Sequence, residues 1–265
     1  NEIHGESVLI TFDPHPRLVL ETNTKSIELL HTLDEKMEAL QQLGIHHVVV
    51  VPFTTEFANQ DASDYIEHFL VRYFKPHTLI IGYDHHFGNK REGGFALLEK
   101  EKDKHGFLLE EIPAKTLENI AISSTKIRTN LKTGNMEQAN ALLGKPYSLC
   151  GKVIHGEKVG RQIGFPTANI EVNNSHKLVP ANGVYAVDVT YHAAVYKGMM
   201  NIGTKPTLSH EKTTHLEVHL FNFTQEIYDE VVTILFKFRI RDEKKFDTID
   251  LLIAQLQQDK LVAME

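Results

Sequence analysis

The sequence predicts two domains of different fold class, an α/β domain with a parallel sheet followed by a small antiparallel β-barrel. In the first half, short runs rich in Val and Ile alternate with amphipathic helical patterns, which is typical of parallel strands covered by helices on both faces. In the second half, period-two alternation between turns rich in Gly, Pro and Asn is typical of a barrel. The length of 265 residues suits two domains, and the change of pattern at Pro146 places them at 1–147 and 148–265.

Three strands and five helices are predicted in the first half. The helical pattern that begins at Leu33 places Met37 and Leu40 on the same stripe and stops at Gly44, which is a typical helix end. The predicted strands are 7–12, 47–51 and 77–81, and the predicted helices are 33–43, 61–74, 93–105, 125–132 and 136–143.

Five strands and a closing helix are predicted in the second half. In the strand 215–223, alternation places Leu216 and Val218 on one face and Glu217 with His215 and His219 on the other. The other predicted strands are 149–154, 183–191, 195–202 and 230–240, and the predicted helix is 247–258.

Composition excludes several classes of function. The net charge of −7 argues against a duplex nucleic acid as partner, and no apolar run reaches the ~18 residues of a membrane span. Cys150 is the only cysteine, so an internal disulfide is impossible and a reducing compartment is expected. We therefore expect a cytoplasmic protein, monomeric or weakly self-associating, with small-molecule partners and neither nucleic acid nor membrane.

A glycine-rich stretch opens the predicted barrel and is a candidate phosphate-binding loop. Glycine allows a close backbone approach to a polyphosphate, and arginine can add a bidentate fork to phosphate oxygens. The stretch lacks the Gly-Lys-Ser/Thr ending of a P-loop. For glycines alone, a hairpin with a structural turn is an open alternative. The candidate residues of this stretch, to which the resemblance given below assigns ATP or ADP, are Gly151, Lys152, Gly156, Gly160, Arg161, Gly164, Phe165 and Pro166.

Hard oxygen donors and a carboxylate complete this candidate site. Thr167 and Asn169 are two residues apart, so on an extended segment they point to one side and suit Mg²⁺ shared with phosphates. Glu217 is a candidate general base at the barrel rim. A solvated, outward-facing Glu217 is the alternative.

The stretch from Gly160 to Asn169, Gly-Arg-Gln-Ile-Gly-Phe-Pro-Thr-Ala-Asn, resembles the signature of riboflavin kinases. Residues 11–17, 81–88 and 122–128 resemble the adenylyltransferase module of the prokaryotic bifunctional riboflavin kinase/FAD synthetase family. The resemblance runs from about residue 7 to residue 259. It implies a Rossmann-like nucleotidylyltransferase domain followed by a barrel of the riboflavin kinase type.

The resemblance also implies roles in the barrel. Glu217 would accept the proton of the ribityl hydroxyl, Thr167 and Asn169 would hold Mg²⁺, and the glycine loop with Arg161 would cover the nucleotide. Arg241 and Glu243 would lie on the flavin side. ATP is then the co-substrate, and flavin is both substrate and product.

In the first domain, the resemblance places the nucleotide at Gly82 and Asp84. It also places phosphate at a helix start, where unpaired N–H groups favour anions; the residues concerned are Ser123, Ser124, Thr125 and Arg128. His15, between two prolines after the first strand, is a further candidate at the sheet's carboxyl edge, although a structural turn is an equal alternative.

The family's His-x-Gly-His element has no match in this sequence. In the family it precedes the position of residue 7, so the first strand of this domain is expected to be missing from the given sequence. We favour the interpretation that the protein itself has this segment and that both activities are present. Two alternatives remain open: a monofunctional riboflavin kinase with an inactive first domain, and a non-catalytic flavin or nucleotide sensor.

Overall fold

The computed structural model describes residues 4–21, 27–117, 120–156, 159–206 and 212–265. Its contacts divide into two compact units, which we call the α/β unit and the barrel unit. The α/β unit comprises Asn1–Ile27 and Lys36–Ala121, and the barrel unit comprises Glu28–Glu35 and Ile122–Glu265.

The α/β unit contains two parallel strand pairs in its described residues, β1 with β2 and β3 with β4, and a short antiparallel hairpin, β5 with β6. The strands are β1 Val8–Asp13, β2 His47–Pro52, β3 Thr78–Gly82, β4 Leu108–Ile112, β5 Thr116–Leu117 and β6 Ile120–Ala121. The parallel pairing confirms the predicted fold class. Strand β4 was not predicted, because Leu-Leu-Glu-Glu-Ile has neither the Val/Ile run nor the alternation that marks a strand.

Helices separate these strands. They are α1 Pro16–Leu20, α2 Leu33–Gln42, α3 Thr55–Ala58, α4 Ala62–Asp64 and α5 Phe95–His105. Helices α2, α4 and α5 correspond to predicted helices, whereas α1 and α3 were not predicted. The predicted helix 61–74 forms as α4 and a continuing π-helix, Tyr65–Phe74. Its apolar side chains Tyr65, Ile66 and Leu70 are buried as the pattern requires. An apolar pattern over ten residues does not distinguish i→i+5 from i→i+4 hydrogen bonding.

An apolar core holds the α/β unit together. Ile66 and Leu98 are fully buried in it, and Ile10 of β1 and Ile81 of β3 pack against it. Burial raises the pKa of the Tyr65 phenol to about 12. This core fixes the ends of β1 and β3, after which the candidate residues of this unit lie.

The barrel unit is a closed antiparallel barrel of six described strands in the order β10-β11-β8-β7-β12-β9. The strands are β7 Tyr147–Ile154, β8 Ala168–Glu171, β9 Gly183–Tyr191, β10 Ala194–Pro206, β11 Lys212–Leu220 and β12 Val231–Arg241. Five of the six match predicted strands, so the barrel is confirmed. Strand β11 ends at residue 220 rather than 223, because Asn222 adopts a left-handed conformation (φ 55°).

Four helices accompany the barrel in its described part: α6 Ser124–Thr133, α7 Met136–Leu143, α8 Val159–Gln162 and α9 Ile249–Met264. The side chain of Thr248 caps α9 by accepting a hydrogen bond from the Leu251 N–H (3.3 Å). Among the described residues, no helix combines the length and the apolar character that crossing a bilayer demands.

Helices α6 and α7 pack with the barrel, although the predicted boundary assigns them to the first domain. Asn140 of α7 donates to the Phe236 carbonyl (2.8 Å) and accepts from the Tyr147 N–H (2.8 Å). Arg128 of α6 donates to the Glu28 carbonyl (2.7 Å). Residues 28–35 and both helices therefore belong to the barrel unit by contact, while the functional boundary at 147/148 stays a prediction.

Candidate active site

A cavity of about 250 Å³ lies in the barrel unit between the barrel and α9. Six of the residues predicted for the kinase site line it: Gly160, Phe165, Thr167, Glu217, Arg241 and Glu243. Its other described lining residues are Ile163, Val184, Met199, Asn201, His219, Lys244, Phe246, Leu252 and Leu256. The cavity thus joins a polar group of side chains to an apolar wall.

Strand β11 delivers the carboxylate to this cavity. Its Leu216 and Val218 are buried as predicted, and Glu217 is half-buried. The register pairs Glu217 with Asn169 of β8 on one side and with Asn201 of β10 on the other. Alternation therefore predicted that Glu217 lies on the face of β11 opposite Leu216 and Val218, and this face lines the cavity.

Two glycines of the loop pack closely against the predicted oxygen donors. A Cβ atom on Gly160 would overlap the Phe165 carbonyl oxygen and lie 3.4 Å from the Thr167 hydroxyl. A Cβ atom on Gly156 would overlap the side chain of Asn169. Only glycine permits this approach, so these positions bring the loop backbone next to Thr167 and Asn169.

The donor chemistry at this place suits Mg²⁺. A threonine hydroxyl and an asparagine amide oxygen are neutral hard ligands, and Mg²⁺ keeps several waters and phosphate oxygens as its remaining ligands. In the described part of the chain, no group of three His, Cys, Asp or Glu side chains could hold a metal ion. The neutral oxygen donors present therefore fit a magnesium ion that arrives with phosphates.

The two predicted phosphate cations lie outside the described cavity lining and have carboxylate partners. Arg161 contacts Glu226 (3.1 Å), and Lys152 contacts Asp229 (2.7 Å). The ion pair raises the pKa of Lys152 and lowers that of Asp229. Exposed ion pairs contribute little to stability, so either cation can exchange its partner for an anion at small cost.

The other predicted loop residues have packing roles in the described structure. A Cβ atom on Gly151 would overlap the Ile170 side chain, so this glycine permits close contact between β7 and β8. Gly164 adopts a left-handed conformation (φ 83°) just after α8, and Phe165 is buried in the core beside α9. Pro166 offers its carbonyl to His219. Residues 157 and 158 of the loop lie outside the described residues.

Arg241 faces the cavity but is held by α9. Its Nε lies 3.0 Å from both carboxylate oxygens of Asp259, and its Nη2 lies 2.7 Å from Oδ2. Asp259 is 1% exposed and also accepts from Gln255 (2.9 Å). Arg241 further donates to the Asp242 carbonyl (2.9 Å), so it anchors the segment that contributes Glu243 to the cavity.

His219 is a cavity residue to which the sequence analysis gave no role. Its Nδ1 donates to the Pro166 carbonyl (2.7 Å). The ring meets Phe165 and Phe221 edge-on, at 5.3 and 5.6 Å between centroids. Burial lowers the pKa of His219. Alternation places His219 on the same face of the strand as Glu217, and this pattern could have indicated that His219 also lies at the site.

In the α/β unit, two candidate positions follow parallel strands. His15 caps α1, and its Nδ1 accepts from the Arg17 N–H (3.2 Å). Gly82 ends β3 and accepts from the His85 N–H (3.0 Å), and Asp84 lies in the turn that follows. Burial lowers the pKa of His85. His15 and Asp84 thus each come after the carboxyl end of a parallel strand, where α/β sheets bind ligands.

The predicted phosphate turn lies at the start of α6. Ser123 caps this helix by accepting from the Lys126 N–H (3.3 Å), and Ser124 and Thr125 are exposed in its first turn. By contact these residues belong to the barrel unit, whereas His15, Gly82 and Asp84 belong to the α/β unit.

Two family models match the chain, one described as FAD synthetase over residues 2–126 and one described as riboflavin kinase over residues 143–265. The bifunctional riboflavin kinase/FMN adenylyltransferase of Listeria monocytogenes is 38% identical over 255 residues, covering 96% of this chain and 80% of the relative. Proteins of the same name from Bacillus subtilis and Escherichia coli are 39% and 36% identical, covering 97% of this chain and 81% and 82% of theirs.

A solved structure is also similar over nearly the whole chain. It is titled a macrolide-efflux protein from Streptococcus pneumoniae and matches with a TM-score of 0.89 at 31% identity, over 98% of this chain and 84% of that one. Its title names a different activity from the curated relatives, so the shared property is the fold.

The chain combines an α/β unit that has parallel strands with a barrel whose cavity brings a carboxylate close to a turn that contains glycine. This combination defines a two-domain nucleotide-dependent transferase. The family matches specify which transferase this is. The chain belongs to the bifunctional riboflavin kinase/FMN adenylyltransferase family. The family membership that the motifs predicted is confirmed.

Proposed function

We propose that the second domain, residues 148–265, phosphorylates riboflavin from ATP to give FMN, and that the first domain, residues 1–147, adenylylates FMN to FAD. The observation that carries the kinase assignment is the shared cavity of Glu217 and Thr167, with Asn169 opposite Glu217 in the register. One carboxylate and two oxygen donors are thereby brought together by two segments distant in sequence, 167–169 and the strand that bears Glu217.

In the kinase step, Glu217 acts as general base. Its carboxylate accepts the proton of the ribityl 5′-hydroxyl as that oxygen forms a bond to the γ-phosphorus of ATP. The bond between the γ-phosphorus and the bridging oxygen breaks, and ADP leaves with the electron pair. Catalysis of this kind depends chiefly on position and charge neutralisation.

Thr167 and Asn169 are the residues that would hold Mg²⁺. When bound, Mg²⁺ neutralises phosphate charge and orients the phosphates. Gly156 and Gly160 keep the loop backbone beside these two side chains, which supports their assignment to the nucleotide side. Arg161 and Lys152 contribute only after releasing Glu226 and Asp229, which their exposed position permits.

The opposite wall of the cavity suits the flavin. Val184, Met199 and Leu256 offer an apolar surface for a flat ring system, and Glu243 offers acceptors for its polar edge. Arg241 has most of its donors committed to Asp259 and Asp242, so we assign it to positioning the flavin-side segment.

In the adenylyltransferase step, a phosphate oxygen of FMN bonds to the α-phosphorus of ATP, and pyrophosphate leaves. His15, Gly82 and Asp84 are proposed to bind the nucleotide at the strand ends. Ser123, Ser124, Thr125 and Arg128 are proposed to bind phosphate at the start of α6, where the helix dipole favours an anion.

The test is chromatography of flavins after the chain is incubated with riboflavin, ATP and Mg²⁺. FMN followed by FAD is the expected result. FMN alone would refute the adenylylation and support a single kinase activity. Neither product, with riboflavin still bound, would refute both activities and favour a flavin sensor.

We further propose a cytoplasmic enzyme that is monomeric or weakly self-associating and acts on small molecules only. The single cysteine supports a reducing compartment, and the net charge of −7 disfavours nucleic acid. Sedimentation velocity at micromolar concentration should give a species near 30.1 kDa; a stable larger assembly would contradict this expectation.

A further inference from the structure

The strand pairing between β8 and β11 is short and ends next to Thr167, a residue of the proposed kinase site. It consists of two residue pairs, Glu217 with Asn169 and Val218 with Ala168. The next pair in the same register would join His219 to Thr167, but β8 begins at Ala168. Thr167, a proposed magnesium ligand, therefore lies outside the strand pairing that holds Asn169 opposite Glu217.

The side chain of His219 holds the segment at the point where the ladder stops. Its Nδ1 lies 2.7 Å from the Pro166 carbonyl oxygen, and since that oxygen can only accept, Nδ1 is the donor. His219 is 8% exposed, and the rings of Phe165 and Phe221 flank it. The imidazole is thus held in one orientation.

This contact controls the direction of the following residue. The Pro166 carbonyl lies in the same planar peptide group as the Thr167 nitrogen and Cα. Fixing that oxygen therefore fixes the plane from which the Thr167 side chain projects. Glu217 and His219 are two residues apart on one strand, so both point to one face. One face of β11 therefore carries both the Glu217 carboxylate and the His219 side chain that holds the peptide preceding Thr167.

We propose that His219 is a positioning residue of the kinase site, which sets Thr167 at the correct distance from Glu217 by clamping the Pro166–Thr167 peptide. The inference rests on the proposed kinase function. It also explains why a histidine stands among Phe165, Phe221 and Met199, where an apolar side chain would fill the same space. Partners that orient metal ligands typically contribute about 10–100-fold to metal affinity or activity.

Two variants separate clamping from packing. His219→Phe keeps an aromatic ring between the two phenylalanines but removes the donor. His219→Asn restores an N–H donor near the Nδ1 position. His215→Phe, on the same strand but outside the cavity lining, is the matched control.

The measurement is binding of Mn²⁺, as a probe for Mg²⁺, to the full chain with saturating ADP, followed by electron paramagnetic resonance. We expect His219→Phe to weaken Mn²⁺ binding by about tenfold or more, with metal-free ADP binding unchanged. His219→Asn should recover most of the loss, and His215→Phe should bind like the wild type. Wild-type binding by His219→Phe would overturn the proposal.

A double-mutant cycle keeps the proposal testable if His219→Phe fails to fold. If His219 acts through Thr167, His219→Ala, which also removes the donor, should weaken Mn²⁺ binding when made alone but should add no further loss to Thr167→Ala. Additive losses would overturn the clamp. The proposed function fails separately, since in that case the wild-type chain itself would show no ADP-dependent Mn²⁺ binding and no kinase product.

Discussion

The pair formed by Arg241 and Asp259 anchors the segment that contributes Glu243, Lys244 and Phe246 to the cavity, and the effect of this anchor can be measured. Replacing Asp259 with asparagine conserves the size of the side chain but removes its charge. One of the two oxygens that accept from Arg241 becomes an NH₂ group, which has no lone pair for the guanidinium. A donor then faces a donor in a site where Asp259 is 1% exposed.

The magnitude follows from this geometry. Hydrogen bonds to charged groups contribute about 1.5–3 kcal/mol each, and removing one partner of a buried ion pair costs about 3–5 kcal/mol. The asparagine keeps one accepting oxygen, so we expect a loss of about 3 kcal/mol in the free energy of unfolding of the barrel unit. At about 2 kcal/mol per molar urea, the unfolding midpoint should fall by about 1.5 M.

Riboflavin affinity should fall in the same variant, because the segment anchored by Arg241 contributes Glu243, Lys244 and Phe246 to the cavity. Urea unfolding and quenching of riboflavin fluorescence measure the two effects. Asp250→Asn, an exposed position in the first turn of α9, is the control. An Asp259→Asn protein with the midpoint and flavin affinity of this control would refute the reasoning.

Three further predictions concern other parts of the chain. Lys177→Met should lower the free energy of unfolding of the barrel unit by about 3–5 kcal/mol, because the Glu35 carboxylate, 2.6 Å from Nζ, would stay buried without its partner; a loss below 1 kcal/mol in urea unfolding would contradict this. Gly160→Ala should weaken ADP binding while riboflavin binding persists, because a Cβ atom would overlap the Phe165 carbonyl; calorimetric titration of each ligand checks it, and unchanged ADP affinity would count against the loop assignment. Burial lowers the pKa of His85 in the folded protein below its ordinary value of 6.5. As pH falls, His85 is therefore protonated in the unfolded chain before it is protonated in the folded protein, which favours unfolding. The α/β unit should therefore lose stability below about pH 6.5, and His85→Asn should lose less between pH 7.5 and 5.5; equal losses would refute the linkage.

Local patterns predicted β1 to β3 and five of the six described barrel strands, because each of those strands carries its own signal. Alternation around Val218 identified the face that bears Glu217, and glycines marked the loop that approaches Thr167. Strand β8 gave no such signal, because Ala-Asn-Ile-Glu is too short to show a period. Its place between β7 and β11, which sets Asn169 opposite Glu217, is a property of the closed barrel.

Contacts between distant residues account for what the sequence did not reveal. The predicted helix stopped at residue 258, whereas α9 continues to Met264, and Asp259 within it is buried beneath Arg241. Glu35 similarly pairs with Lys177 across 142 positions, which draws residues 28–35 into the barrel unit. The partners of Arg161 and Lys152 are exposed carboxylates whose choice no local pattern dictates.

The most direct test of the account is the rate of the Glu217→Gln variant. Glutamine keeps the shape of the side chain but cannot accept the hydroxyl proton, so riboflavin and ADP should bind as in the wild type while FMN formation falls by about 10²–10⁴-fold. Glu230→Gln, an exposed carboxylate of the barrel unit outside the cavity lining, should leave the rate unchanged. Near-normal FMN formation by Glu217→Gln would contradict the central claim that this carboxylate is the general base.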